Sequence, residues 1–255
     1  MTNSPAAPAA YAFVANFDPE PQKTLRLDRH YLLYNSHGAV RLSAGNRGWS
    51  LPPARAALIR AGCDINITVV RALTTCSLLF DPDWFAEPDA PLSVFEVTPL
   101  ARELIHACRP YGPEADLDDY GRQLFDTVAA VSWRLARTPS PAVLPAPSNP
   151  ALQQALAMTE AALDQAPSFE AIARGVGLSP RSLARRFADD LGMTWRQAQR
   201  RLRMSRAIEA LATSDRPVTE IAFAVGYNSL SAFNAAFLDL TGQTPTDYRK
   251  SLTRA

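Results

Sequence analysis

Between Ser168 and Arg249 the sequence repeats itself. Ile172, Ala173 and Gly177 recur as Ile221, Ala222 and Gly226, each 49 positions on. Leu183, Phe187 and Gly192 recur as Phe233, Phe237 and Gly242, each 50 positions on, so the second copy carries one extra residue in its turn. A repeat of this period marks a duplicated supersecondary unit and outranks any single motif.

Physical chemistry says what one copy encodes. Ile172, Ala173 and Val176 share one helical face, and Gly177 follows where a chain leaving a helix needs a left-handed residue. Ser179 can cap a second helix, and Pro180 stands at its first position, where the missing N–H costs nothing. Leu183 and Phe187 give that second helix a buried stripe. Two short helices joined by a tight turn form a helix-turn-helix, whose second helix is shaped for the DNA major groove. The competing reading is a plain helical hairpin that only packs.

The outward residues favour DNA. With Leu183 and Phe187 inward, Arg181, Ser182, Ala184, Arg185 and Arg186 remain for the groove and its walls. Arginine binds guanine O6 and N7 in bidentate fashion, or binds phosphate. Between the copies, Trp195 to Leu211 reads as one helix carrying Arg196, Arg200, Arg201, Arg203 and Arg206. At 1.5 Å per residue it is a rod of roughly 25 Å. That length suits two reading heads held near one DNA turn apart, roughly 34 Å. A merely solvated arginine face is the alternative.

These residues resemble the DNA-binding domain of AraC/XylS transcription regulators. The pattern is Ile-Ala-x-x-Val-Gly-Leu-Ser-x-x-x-Leu-x-Arg-x-Phe, then Leu-Arg-Met-x-Arg-Ala, then Ile-Ala-x-x-Val-Gly-Tyr-x-Ser-x-Ser-x-Phe, then a Gly-x-Thr-Pro-x-x-Tyr-Arg ending at Arg249. The resemblance covers about the last hundred residues. It implies an all-α domain of about seven helices with two helix-turn-helix motifs, and transcriptional control through promoter or operator DNA. RNA polymerase is a further partner it implies. One departure stands out. The family usually carries basic residues in the second reading helix, where this chain has Asn234-Ala-Ala-Phe-Leu-Asp239. Attraction to phosphate is weaker there, so the first unit is expected to supply more affinity. Asn228, Ser229, Ser231 and Asn234 could add modest contacts, or the second unit could be mainly structural.

The charge balance leans the same way. Residues 150–255 hold 13 Lys and Arg against 10 Asp and Glu, whereas residues 1–149 hold 13 against 15. The basic excess sits where the repeat sits, although it is too small to prove nucleic-acid binding. The three cysteines, Cys63, Cys76 and Cys108, are an odd count without Cys-x-x-Cys spacing, which suits a reducing cytoplasm. Neither an export signal nor an apolar run of ~20 residues is visible, so no membrane role is expected. The stretch Met1–Pro8 reads as a frayed leader.

From Leu25 to Phe80 the hydrophobic period becomes that of strands. Candidates are His30–Asn35, Ala39–Ser43, Gly48–Leu51, Ala56–Ala61, Ile65–Val70 and Thr75–Phe80, separated by turn-forming residues. Short strands at such spacing predict an all-β barrel or sandwich. The run from Trp49 through Pro52 and Pro53 to Ile59-x-Ala-Gly62 resembles the cupin-type barrel often fused ahead of AraC/XylS DNA-binding domains. The resemblance implies a small-molecule effector inside the barrel. His30, Tyr34, Trp49, Asn66 and Arg71 are the candidate effector-binding residues, although strand register is not fixed by the sequence. Trp49 as plain core and Arg71 as plain surface is the simpler alternative.

An enzyme is not expected. Metal-dependent cupins resemble one another in a His-x-His, Glu and later His arrangement. This chain has only His30, His37 and His106, with Cys63-Asp64 where the family often has histidine. No catalytic residue, metal site or cofactor is assigned, and a cupin-type metal enzyme with an appended DNA module is the alternative reading. Cys63 or Cys76 as a redox-sensing thiol is a lesser option.

Ser93–Val97 reads as a further strand, and Pro99–Cys108 and Leu117–Arg137 as amphipathic helices. Such a pair either mediates homodimerisation, as the resemblance implies, or covers the barrel. Thr138 to Pro150 holds five prolines and is the clearest boundary. The expected organisation is an α+β multidomain protein. A cupin-like sensing and dimerisation domain with flanking helices spans 1–137, a linker 138–150, and the tandem helix-turn-helix domain 151–255.

Overall fold

The computed structural model describes residues 8–253, so the leader expected at Met1–Pro8 lies outside them except for Pro8. The strands are β1 (Ala10–Phe17), β2 (Glu20–Leu25), β3 (His30–His37), β4 (Val40–Ala44), β5 (Arg47–Leu51), β6 (Arg55–Ile59), β7 (Ile65–Val69), β8 (Leu73–Phe80) and β9 (Leu92–Glu96). Helices α1 (Pro99–Ala107) and α2 (Asp119–Ala136) follow, then the short strand β10 (Leu144–Pro145). The remainder is helical: α3 (Pro150–Ala161), α4 (Phe169–Gly175), α5 (Pro180–Leu191), α6 (Trp195–Thr213), α7 (Val218–Ala224), α8 (Leu230–Thr241) and α9 (Pro245–Thr253). Among the described residues, α3 to α9 thus make seven α-helices after the proline-rich stretch.

The chain forms two compact units. One holds the residues up to Arg41, Leu51–Ser140 and those from Ser251 on; the other holds Leu42–Ser50 and Pro141–Lys250.

In the first unit, five strands form an antiparallel sheet in the order β1-β8-β3-β6-β9. Tyr31 of β3 stands opposite Ile59 of β6 and Leu79 of β8, with a register shift between Asn35 and His37. The central β3 carries an apolar run from Tyr31 to Tyr34 and is buried from His30 to Asn35, so it has protein on both faces. Strands β2 and β7 pair separately, Leu25 opposite Ile65. They belong to the second antiparallel sheet.

Two helices cover one face of the five-stranded sheet. Thr98 caps α1 by accepting from the Ala101 N–H, with Pro99 in the first turn, and Asp118 caps α2 by accepting from the Gly121 N–H. Leu124, Phe125, Val128 and Ala129 of α2 share one core with Leu32, Leu58, Leu78 and Phe80 of the sheet. The Phe80 and Phe125 rings meet edge to face at 6.1 Å. Each such side chain contributes about 1.5–3 kcal/mol by leaving water. The apolar stripe that could have served dimerisation is therefore used on the sheet.

Strands β1 and β2 are not among the expected elements. Tyr11, Phe13 and Phe17 carry strand propensity, but alanines interrupt them, and β2 is an exposed, polar strand containing Pro21. The proline-rich segment is also more structured than a tether. Leu144 pairs with Gly48 of β5 and joins the core of Leu152, Leu156, Leu183 and Phe187 in the second unit. Asn149 then caps α3, accepting from the N–H groups of Ala151 and Leu152. No helix among the described residues is long and apolar enough to cross a membrane.

Candidate nucleic-acid interface

The second unit builds the same helix-turn-helix twice. In the first, Ser168 caps α4 and Ser179 caps α5, each accepting one N–H in the first turn of its helix. Between them the chain makes a Schellman turn: Leu178 N–H donates to Ala173 O at 3.0 Å and Gly177 N–H to Arg174 O at 3.1 Å. The second unit repeats those bonds, Tyr227 N–H to Ala222 O at 3.0 Å and Gly226 N–H to Phe223 O at 2.9 Å. Gly177 and Gly226 have φ of +70° and +85°, the left-handed geometry this turn requires. The extra residue in the second turn is Asn228, after which Ser229 caps α8 through the Ala232 N–H.

Identical burial orients the two reading helices. Leu183 and Phe187 of α5, and Phe233 and Phe237 of α8, are all fully buried. Residues opposite them face outward. On α5 these are Arg181 and Arg185, with Ala184 and Ala188 beside them. Among the described residues, Arg181 and Arg185 enter no hydrogen bond or ion pair, so both guanidinium groups are available. Arg186 is half-buried on the flank, and the Ser182 hydroxyl shares a hydrogen bond of 2.9 Å with that of Ser179. With Gly192 at φ +61° ending α5 and Gly242 at φ +73° ending α8, the helices match in length.

The α8 surface differs in chemistry. At the 50-residue offset, Arg181, Arg185 and Arg186 become Ser231, Ala235 and Ala236. Ser231 and Asn228 are exposed, the Ser229 hydroxyl is used in capping, and Asn234 lies half-buried with its Oδ1 enclosed. From 169 to 192 the chain has four arginines and three acids, whereas from 218 to 242 it has two acids and no cation. Asp239 pairs with Arg200 of α6 at 2.7 Å.

Helix α6 joins the units. A capping box of Thr194 and Gln197 starts it, and Trp195 donates to Thr159 Oγ1 at 2.9 Å. Its five arginines divide by role. Arg196 and Arg201 are exposed. Arg200 is exposed but paired, Arg203 stacks 5.6 Å from the Tyr227 ring centre, and Arg206 bridges Glu160 at 3.0 Å and Glu209 at 3.4 Å. Arg203 and Arg206 are thus structural, and of their partners only Glu209 is near in the chain, Tyr227 and Glu160 lying more than twenty residues away.

The first unit holds an apolar cavity of about 330 Å³. Tyr31, Leu33 and Asn35 of β3, Ile67 and Val69 of β7, and Thr75 and Leu79 of β8 line it, with Lys23 of β2 at its edge. None of His30, Tyr34, Trp49, Asn66 or Arg71 does. Alternate residues of a strand face opposite ways, so His30 and Tyr34 point instead toward the helices. The His30 ring stands 6.2 Å from Trp133 and the Tyr34 ring 5.9 Å from His106. Trp49 is buried beneath Arg47, Asn66 accepts from Thr24 at 2.9 Å, and Arg71 is exposed. The structure does not bring these five together.

Ionisation within the first unit favours neutral forms. Burial lowers the pKa of His30, whose Nδ1 accepts from the Ala61 N–H at 3.1 Å, and that of His106. Burial pushes the Cys76 thiol up to about 11 and Cys108 to about 12, which keeps both protonated and unreactive near neutrality. Cys63 is half-buried and unpaired. Among the described residues, no three His, Cys, Asp or Glu side chains are grouped to hold a metal ion.

Residues 172–251 match the family described as a helix-turn-helix domain. The helix-turn-helix transcriptional regulator NimR of Escherichia coli is 27% identical over 226 residues, covering 87% of this chain and 80% of that protein. The ornithine utilization regulator of Pseudomonas aeruginosa is 40% identical over 85 residues, 33% of this chain and 25% of that one. A crystal structure of a Chromobacterium violaceum transcriptional regulator with an AraC-type DNA-binding domain is 28% identical, covering 41% of this chain and 94% of that chain at a TM-score of 0.40. The two units and their matched Schellman turns thus form a helix-turn-helix domain similar to those of helix-turn-helix transcriptional regulators.

Proposed function

We propose that the chain binds operator DNA sequence-specifically and does so under control of a small effector held in its N-terminal part. The observation that carries the DNA reading is the pair of exposed, unpartnered guanidinium groups, Arg181 and Arg185, on the reading helix of a fully formed helix-turn-helix. Arg185 with Arg181 is assigned to base edges, and Arg186 with Ser182 and Ala184 to the groove walls. Asn228, Ser229, Ser231 and Asn234 are assigned lesser contacts in the second unit. Gel-shift titration on the DNA upstream of the gene tests this: specific retardation is expected, lost against a scrambled duplex of equal length. Equal affinity for both would overturn sequence-specific binding.

The effector reading rests on the apolar cavity, which strands of both sheets line. Its lining selects a small, mainly apolar molecule, and Tyr31, Asn35 and Thr75 supply the polar contacts that orient it. Filling the cavity with Leu33→Trp should abolish any effector response while leaving DNA binding without effector intact. In this proposal residues 1–137 sense and dimerise, 138–150 connect and 151–255 bind DNA, in a cytoplasmic protein that contacts RNA polymerase. Homodimerisation would use the outer surface of α1 and α2, where Leu100 and Tyr120 are exposed. Sedimentation of the wild type and of Leu100→Ser tests that surface.

A further inference from the structure

The second reading helix keeps the geometry of the first but not its charge. Its outward face carries Ser231, Ala232, Ala235 and Leu238, all exposed, where α5 has Arg181, Ser182, Arg185 and Ala188. Leu238 leaves 47% of its surface in solvent. An exposed leucine on a helix shaped for the major groove gains free energy only against an apolar group. The major groove offers one such group, the thymine C5 methyl. Phosphate attraction does not compete here, because residues 218–242 contain no Lys or Arg and the acid Asp239 is engaged by Arg200.

We propose that α8 reads thymine-bearing base pairs through methyl contacts made by Ala232, Ala235 and Leu238. The operator is then asymmetric. A guanine-containing half-site lies under α5, where Arg181 and Arg185 recognise O6 and N7. A half-site of A·T pairs lies under α8, about one helical turn away. This rests on the DNA-binding reading above and adds the base class that each unit selects. Asn234 is not needed for it: its Oδ1 is enclosed, so the amide does not present both groups to adenine in this conformation.

The test uses the full chain. Duplexes are selected from a random-sequence pool, and deoxyuridine then replaces thymidine in one half-site at a time, removing only methyl groups. Substitution in the A·T half-site should weaken binding about four-fold per contacted methyl, the loss expected for one buried carbon. The same substitution under α5 should leave binding unchanged. Leu238→Ser should fold normally, since the side chain is exposed, and should lose part of the uridine penalty.

Failure of the pool to yield any bound duplex overturns both this inference and the DNA-binding reading. Selected duplexes whose second half-site contains G·C pairs, or tolerates uridine without loss, overturn the methyl reading alone. So does a Leu238→Ser chain that binds DNA as before but self-associates less, because the leucine then serves a second protein copy.

Discussion

Replacing Arg185 with alanine is the sharpest single perturbation of the reading face. The side chain is exposed and makes no hydrogen bond or ion pair among the described residues, so its removal breaks nothing in the fold. Alanine is also the better helix former by a few tenths of a kcal/mol, and the unfolding midpoint should stay within ~0.5 kcal/mol of wild type. All of the effect should therefore appear in DNA binding. A bidentate arginine–guanine pair is worth about 1–3 kcal/mol, which is a loss of roughly 5- to 150-fold in affinity. Arg185→Lys separates the two roles that a guanidinium can play. Lysine keeps the charge but not the planar fork, so a base-reading arginine loses specificity on that change while a phosphate-binding one loses little. The assay is fluorescence anisotropy on a labelled operator duplex at several salt concentrations. A phosphate contact would lower the slope of log K against log salt by about 0.9, whereas base readout leaves the slope nearly unchanged. Wild-type affinity and specificity in both variants, with folding intact, would refute the placement of α5 in the groove.

Other expectations concern the rest of the molecule. Asp239→Asn should free Arg200 and raise operator affinity, with a salt slope steeper by up to ~0.9, while stability changes by less than ~1 kcal/mol because the pair is exposed. Gly226→Ala and Gly177→Ala both strain a left-handed turn, at about 1 kcal/mol, but only at Gly226 would the new Cβ lie 2.0 Å from a backbone oxygen, that of Leu163. Urea unfolding should therefore show Gly226→Ala clearly the more destabilised, and equal losses would contradict the turn packing. His30 has a lowered pKa in the folded state, so the unfolded chain binds more protons as pH falls below 6.5, and stability is lost through the folded pKa. Melting curves from pH 7 to 5 should show this loss, and His30→Gln should reduce it.

What could be read from the sequence was local. Glycine at a helix exit, serine at a cap, proline in a first turn and a two-residue apolar stripe all act within a few residues, so both helix-turn-helix units were legible to their ends. The effector face was not. Strand β3 reads His-Tyr-Leu-Leu-Tyr-Asn and is buried on both sides, so no polar alternation marks which residues face the cavity. His30 and Tyr34 have the chemistry of ligand-binding residues, but their parity on the strand sets them under the helices, beside Trp133 and His106. The roles of Arg203 and Arg206 were equally hidden, since Tyr227 and Glu160 settle them from a distance. Strand β10 is a pairing of two residues, one of them proline, and no local propensity announces it.

The hairpin segment Leu42–Ser50 belongs to the helical unit, although about ninety residues separate it from Pro141 in the chain. Its Ser50 hydroxyl donates to the buried Glu209 carboxylate, and its Asn46 side chain donates to Asp190 O at 3.1 Å. During synthesis the Asn46 and Ser50 side chains must wait for these partners until the ribosome has delivered α5 and α6. A gene truncated to begin at Pro141 would yield helices whose buried Glu209 has lost the Ser50 hydroxyl and keeps only Arg206, and β10 without its neighbour. The regulator is in this respect a circularly dependent object, whose last-made part is finished by a piece made near the beginning.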